Sequence, residues 1–299
     1  MPYLYILILN LSVHYTTSNM FIIVESGSTK ADWVVVRNKD DIRFFKTEGI
    51  NPSTQTYFVN LENEADLLSN IRKCPNIHFY GAGVIDEMSI SRIADWLISS
   101  GFKGKLFAAG DMIAAARACF GDQPGIVGIL GTGSNSCIYD GYEITKTIPS
   151  LGFIFSDEGG GVHLGKEILR AYFYGMMPQK ECKIFLENYN VTKELLIEKV
   201  YRSEGGSKYI ASFAKFLTLV EGEWKENLIK KVFREFITLR IMSYHEHTNL
   251  KIKYVGSIAQ FYARQLHEVM HEFGLNTEEI VQHPINKLID YHLNHNINE

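Results

Sequence analysis

Two stretches of the chain repeat one pattern of apolar and polar positions. The first begins with an apolar, β-rich run, Phe21–Glu25, then a turn of Gly, Ser and Thr, then a second run, Ala31–Arg37. A polar turn at Asn38–Asp41 leads to a third run, Ile42–Lys46. Further on, Ile126–Leu130, a second glycine turn, Ser136–Tyr139 and Tyr142–Thr147 come in the same order. Runs of this length between Gly and polar clusters read as strands, and Asp140-Gly141 predicts a type I′ hairpin. A three-stranded meander with a glycine turn at its first bend is thus predicted twice, which points to a duplicated fold.

After each meander the pattern changes to alternating helix and strand. The spacing predicts helices at Glu64–Arg72, Ile90–Ser99 and Asp111–Phe120, with strands at Ile77–Tyr80 and Lys105–Ala109 between them. In the second half Gly161–Tyr174 and several segments from Lys193 to Tyr244 read as helices. Lys251–Val255 reads as a buried strand, and Gly256-Ser257 opens a helix running to Phe273. Helices covering a mixed sheet in each half give an α/β class, with the Asp111 helix as the hinge region between halves.

The two glycine turns carry the candidate chemistry. Glu25-Ser26-Gly27-Ser28-Thr29-Lys30 and Leu130-Gly131-Thr132-Gly133-Ser134-Asn135 present backbone N–H groups and small hydroxyls with little side chain in the way. Such turns suit the oxygens of a phosphate, and a facing pair would grip a polyphosphate from both sides. An ordinary hairpin turn is the plainer reading of either one alone.

Composition narrows the classes. The 299 residues suffice for two domains, and 46% hydrophobic with 21% charged residues is a globular composition. A net charge of −4 without a basic run argues against nucleic-acid or membrane-surface partners. Cys74, Cys119, Cys137 and Cys182 stand far apart with no C-x-x-C, which argues for free thiols in a reducing compartment. The apolar run Pro2–Val13 is too short to span a bilayer and lacks the flanks of a signal peptide. Residues 1–19 are therefore expected to be an extension upstream of a start at Met20, and the protein is expected to be soluble and cytoplasmic.

The motifs resemble a known superfamily. Val24–Trp33 (V-E-S-G-S-T-K-A-D-W), Ile129–Ser136 (I-L-G-T-G-S-N-S) and Tyr254–Ala259 (Y-V-G-S-I-A) resemble the phosphate-1, phosphate-2 and adenosine motifs of actin-like ATPases and sugar kinases. Leu151–Gly165, L-G-F-I-F-S-D-E-G-G-G-V-H-L-G, resembles the D-E-G-S-G segment of N-acetylglucosamine kinases of the BadF/BadG/BcrA/BcrD ATPase family. Pro284–Leu288 resembles that family's closing helix. The fold implied is two ribonuclease-H-like (actin-like ATPase) domains with a nucleotide cleft between them. They are expected at 20–110 and 111–284, with a terminal helix over about 285–296 packing back on the first. The activity implied is phosphoryl transfer from ATP, with Mg²⁺, to an amino sugar, most simply N-acetylglucosamine on its 6-hydroxyl. N-Acetylmuramic acid, glucosamine and glucose stay open as acceptors. A homodimer is common in similar proteins.

The resemblance also implies residue roles. Asp111 takes the general base position that a hydroxyl nucleophile needs; an N-cap aspartate is the alternative. Asn51, Gly83, Gly152 and Asp157 fall in the sugar site together with Asp111, though Asn51-Pro52 and Gly81–Gly83 also read as common turns and Asp157 as a helix cap. Gly27, Ser28, Thr29 and Lys30 fall on one side of the phosphates, Gly131, Thr132, Gly133 and Ser134 on the other, and Gly256 and Ser257 near adenosine. Glu25 stands where the family usually has the Asp that orients Mg²⁺, and its extra methylene shifts the carboxylate at a cation intolerant of poor geometry. Ser156 and Gly160 also depart from the usual residues. Slow turnover, or a non-catalytic nucleotide-gated sugar sensor, is the alternative these departures support.

One rival motif, His267-Glu268-Val269-Met270-His271, matches the H-E-x-x-H zinc pattern. The apolar stripe Ile258, Tyr262, Leu266, Val269 and Phe273 puts both histidines on the polar face, away from any cleft. No G-x-x-x-x-G-K-[ST] occurs, so a P-loop kinase is excluded.

Overall fold

In the computed structural model, residues 20–27, 30–275, 277–281 and 284–295 are described. The expected extension 1–19 lies outside them, as do Ser28 and Thr29 of the first glycine turn. The chain forms two compact units, one of residues 20–123, 140–145 and 284–295, the other of residues 124–139 and 146–281.

The first unit is built on β1 (Phe21–Ser26), β2 (Lys30–Asn38), β3 (Asp41–Glu48), β4 (Asn76–Gly81) and β5 (Lys105–Gly110), in the order β3-β2-β1-β4-β5. β1, β2 and β3 pair antiparallel; β1, β4 and β5 pair parallel. The helices are α1 (Ala65–Lys73), α2 (Glu87–Ser99) and α3 (Asp111–Phe120). β1 is apolar from Phe21 to Val24 because it is the central strand and is covered on both faces, as parallel strands are. Asp86 and Ser89 close a capping box that fixes the start of α2.

The second unit repeats the plan with β6 (Gly125–Leu130), β7 (Ser134–Tyr139), β8 (Ile144–Thr147), β9 (Ile252–Val255) and β10 (Thr277–Val281). Its order, β10-β9-β6-β7-β8, matches the first sheet strand for strand when read from the meander edge. Between β8 and β9 lie α4 (Gly152–Phe155), α5 (Gly161–Phe173), α6 (Gln179–Asn188), α7 (Lys193–Ile197), α8 (Gly206–Ser212) and α9 (Glu223–Phe236). α10 (Ser257–Phe261) and α11 (Ala263–Glu272) come after β9, and α12 (Pro284–His295) ends the described chain. The core gathers Ile126, Leu130, Val162, Phe233, Phe236 and Tyr254. The duplicated α/β plan is the one expected from the pattern.

Several details differ from expectation. The turn at Asp140 closes with the Asp140 N–H donating to the Glu143 carbonyl at 3.1 Å. Gly141 is at φ +105° while Tyr142 is not at positive φ, so the turn is not type I′, which needs both. The helix expected from Ser257 to Phe273 breaks at Tyr262, whose φ of −114° is non-helical. The expected boundary at residue 110 precedes α3, whereas α3 packs on β1, β4, β5 and α12 inside the first unit. α3 buries Ile113, Ala116 and Phe120 inside the first unit.

α12 docks through a buried ring cluster. His292 lies 4.0 Å, centroid to centroid, from His78, which stacks on Phe107 at 4.9 Å. Tyr80 Oη sits 2.8 Å from His292 Nε2 and accepts from Arg117 Nη1 at 2.7 Å. Burial, and next the Arg117 charge, hold the His78 pKa down to about 3 from an ordinary 6.5. Burial, and next His78, hold His292 low as well. A folded-state pKa below the unfolded one means the unfolded chain takes up the proton first. The contribution to stability is therefore complete above about 6.5 and is lost as pH falls toward 3. His78→Phe keeps a ring on Phe107 and removes the titration, so its acid-unfolding limb is expected to shift to lower pH than the wild type's. Coincident limbs, monitored by circular dichroism, would remove His78 from the account.

Candidate active site

Strand register gathers the candidate residues of the first unit. Ser26, Gly81 and Gly110 are register partners at the carboxyl ends of β1, β4 and β5. The loops leaving these strands therefore emerge at one edge, with Gly27 after β1, Gly83 after β4 and Asp111 after β5. Ligands of parallel α/β sheets bind at this edge. Ser26 Oγ accepts from the Ile50 N–H at 2.7 Å and donates to the Ile50 carbonyl at 3.0 Å, which brings the Asn51 loop to the same edge.

Asn51 is buried, and its Oδ1 accepts from the Ser53 N–H at 3.0 Å. A Cβ on Gly83 would sit 2.1 Å from that Oδ1, and Gly83 has φ +86°, so only glycine fits beside Asn51. Arg92 clamps the loop from α2, donating to the carbonyls of Pro52, Gln55 and Thr56. Asp111 is the first residue of α3 and Gly110 is the N-cap, which corrects the capping alternative. Asp111 is accessible, yet the surrounding protein desolvates its carboxyl enough to raise its pKa, against the pull of the Met112 and Asp111 N–H groups.

Glu25 and Asp32 are direct cross-strand partners on β1 and β2. Like charges directly opposite are unfavourable, and Lys30 Nζ, 2.7 Å from Asp32 Oδ2, offsets only part. Burial first, then Asp32, push the Glu25 carboxyl up to about 7, with Lys30 pulling down and Asp111 adding a smaller push. Carboxylates that crowd one another in this way fit a divalent cation with oxygen ligands. Nothing in the sequence singles out Asp32, because only strand register sets it beside Glu25.

In the second unit the candidate residues are wired around the turn after β6. The Gly131 N–H donates to the Gly133 carbonyl at 3.0 Å. The carbonyls of Gly131 and Thr132 accept from Gly161 and Val162 at 2.8 Å each, so the turn satisfies the opening N–H groups of α5. Asp157 Oδ1 accepts from the Ser134 N–H at 3.0 Å. A Cβ on Gly133 would meet that oxygen at 2.4 Å, and one on Gly160 would meet the Gly133 carbonyl at 2.6 Å. Gly256, at φ +110°, lies where a Cβ would be 2.3 Å from the Leu130 carbonyl, so the start of α10 with Ser257 abuts the same turn. Ser134 Oγ is buried with no hydrogen-bond partner among the described residues. An unused hydroxyl in a glycine turn fits a phosphate oxygen.

Gly152, at φ +72° and exposed, opens α4, and a Cβ there would meet nothing within 4 Å. A cavity of about 540 Å³ lies beside α4 and α5, lined by Phe155, Ser156, Glu158, His163, Lys166 and Glu235 among others, and none of the expected site residues lines it. His267 and His271 are exposed on α11, and Glu268 pairs with Lys230 and Arg264, so the zinc motif forms no site. Among the described residues no group of three or more His, Cys, Asp or Glu is arranged to hold a metal ion. No helix among them is long and apolar enough to cross a membrane.

Glu25 supplies a test of this geometry. Its folded pKa of about 7 exceeds the ordinary 4.5, so its contribution to stability is complete below 4.5 and is lost as pH rises through 7. Between about pH 5 and about pH 8, wild-type protein is expected to lose more denaturant resistance than Glu25→Gln. Equal losses would show that burial and Asp32 do not raise the Glu25 carboxyl.

No family model matches the chain, and no curated protein sequence does. Among solved structures, a candidate N-acetylglucosamine kinase from Porphyromonas gingivalis is 33% identical, with a TM-score of 0.83 over 92% of this chain and 99% of its own. A candidate N-acetylglucosamine kinase from Chromobacterium violaceum is 16% identical, with a TM-score of 0.69 over 91% of this chain and 98% of its own. MreB 5 of Spiroplasma citri, bound to AMPPNP, is 14% identical, with a TM-score of 0.54 over 93% of this chain and 95% of its own. The last two likenesses show the actin-like fold.

Proposed function

The chain belongs to the sugar-kinase family of the Porphyromonas gingivalis protein, and from that membership we propose that it transfers the γ-phosphoryl group of ATP to the 6-hydroxyl of N-acetylglucosamine. The observation that carries this reading is the level edge of β1, β4 and β5, which sets an accessible carboxylate, Asp111, beside Asn51, Gly83 and the first glycine turn.

Each residue has a task in that reaction. Asp111 accepts the proton from the sugar hydroxyl as it attacks; its raised pKa makes it a stronger base than an ordinary aspartate. Asn51 and Asp157 orient the sugar, and Gly83 lets it approach backbone. The Gly131–Ser134 turn, with the free Ser134 hydroxyl, holds phosphate oxygens through N–H and O–H groups, as Gly27 and Lys30 do on the first unit. Gly256 and Ser257 take the adenosine. Glu25 and Asp32 would hold Mg²⁺, which neutralises phosphate charge when bound. Its displacement of the Glu25 proton predicts a thermal shift with Mg²⁺ alone near neutral pH that Glu25→Gln lacks.

A second reading has a specific observation behind it. With its carboxyl pushed up to about 7, Glu25 is partly protonated at neutral pH, which favours weak metal binding and a nucleotide-gated sugar sensor. A coupled ADP-release assay over a panel of hexoses, N-acetylmuramic acid and glucosamine included, separates the two. Sugar-dependent ADP release is expected, with N-acetylglucosamine giving the highest kcat/KM. ATP binding without stimulated release by any sugar would leave the sensor.

Asp111→Asn is expected to lower kcat on the order of a hundredfold or more while ATP affinity stays near wild type, as loss of a general base requires. The wild-type rate should also fall on the acid side, as Asp111 takes up a proton. Retained turnover in the Asn variant would remove Asp111 from the role.

A further inference from the structure

Arg240 lies in a π-helical stretch, Ile237–Ile241, that continues α9, and only 2% of it is exposed. Its guanidinium spends its donors on one segment. Nε donates to Glu158 Oε2 at 3.0 Å, Nη1 to the carbonyls of Ile148 and Pro149 at 3.1 and 3.0 Å, and Nη2 to Ser156 Oγ at 2.9 Å. Ser156 Oγ in turn accepts from the Leu151 N–H at 3.0 Å. Just beyond the π-turn, Tyr244 Oη accepts from the Ile148 N–H at 3.1 Å and shares a hydrogen bond with Ser136 Oγ of β7 at 2.9 Å. Residues 148–158 are thus hung from the π-turn and from Tyr244 just beyond it, and Tyr244 also grips the strand leaving the Gly131–Ser134 turn. π-Turns of this kind recur at functional sites.

Between Ser156 and Glu158, both held by Arg240, stands Asp157, with φ +71°. Among the described residues it alone has positive φ without being glycine. A side chain persists in that region only where its surroundings over-determine it. A buried cation is also a poor way to gain stability alone, since apolar residues of equal volume serve as well. The planar fork with several fixed donors is what a single charge does not supply.

We propose that Arg240 is a positioning residue for the substrate segment, holding the side chains on both sides of Asp157 so that Asp157 keeps the left-handed conformation in which its carboxylate reaches the Ser134 N–H. The inference rests on the reading of Asp157 as part of the sugar site. Asp157 Oδ1 is engaged by the Ser134 N–H, which leaves Oδ2 for the sugar.

The test compares wild type, Arg240→Lys and Arg240→Met by steady-state kinetics and by hydrogen–deuterium exchange. Arg240→Met is expected to raise the KM for N-acetylglucosamine on the order of tenfold or more, with the KM for ATP changed far less. Amide exchange should quicken within residues 148–158 and stay unchanged in β1–β5. Arg240→Lys, which keeps the charge but not the fork, should fall between. If Arg240→Met does not fold, Ser156→Ala and Tyr244→Phe take its place, with the same split at smaller amplitude. An unchanged sugar KM in a folded variant, or equal losses for sugar and ATP, would overturn the proposal. Wild-type protein that phosphorylates no sugar would overturn the kinase reading instead. Arg240 then stands or falls on exchange in 148–158, where rates equal to wild type reject it.

Discussion

The level register of β1, β4 and β5 is the constraint on which the candidate site of the first unit depends. Backbone hydrogen bonds set Ser26, Gly81 and Gly110 side by side, so three loops far apart in sequence must leave the sheet at one edge. A shift of one residue in any of these pairings would turn alternate side chains to the opposite face. Asp111 would then no longer share an edge with Gly83 and Asn51. The apolar runs of β1 and β4 hold the register, since Ile22, Val24, Ile77 and Phe79 have no solvent-facing alternative. Chemistry at the edge is thus underwritten by the core beneath it.

The second unit reaches a comparable result by other means. Its turn after β6 is fixed by close approach. The Asp157 carboxylate lies where a Gly133 side chain would be, the Gly133 carbonyl lies where a Gly160 side chain would be, and the Leu130 carbonyl lies where a Gly256 side chain would be. The glycines of the motif therefore serve mainly to let backbone and carboxylate meet. This explains why the paired motifs carry information that a single glycine turn does not.

The features legible in the amino-acid sequence are local ones. Strand runs, glycine bends, the α/β class and the repeated plan depend on near neighbours and periodicity, and they reappear in the two sheets. Residues defined by distant partners are not legible. Asp32 gains meaning only from its pairing with Glu25, and Arg240 meets Glu158 across 82 residues of sequence. β10 gives no signal because Thr277–Val281 is held by its parallel pairing with β9 rather than by an apolar pattern of its own. The break at Tyr262 is hidden for a related reason, since the apolar positions keep helical spacing across it while the backbone does not.

The docking of α12 has a consequence for how the chain is made. The first unit opens with β1 but is closed by the last described helix, whose His292 covers Phe21, His78 and Tyr80. During synthesis, those rings emerge from the ribosome long before their cover exists. The second unit's segments are all complete by Val281. Vectorial synthesis therefore lets the inserted unit mature first, while the first unit waits for α12.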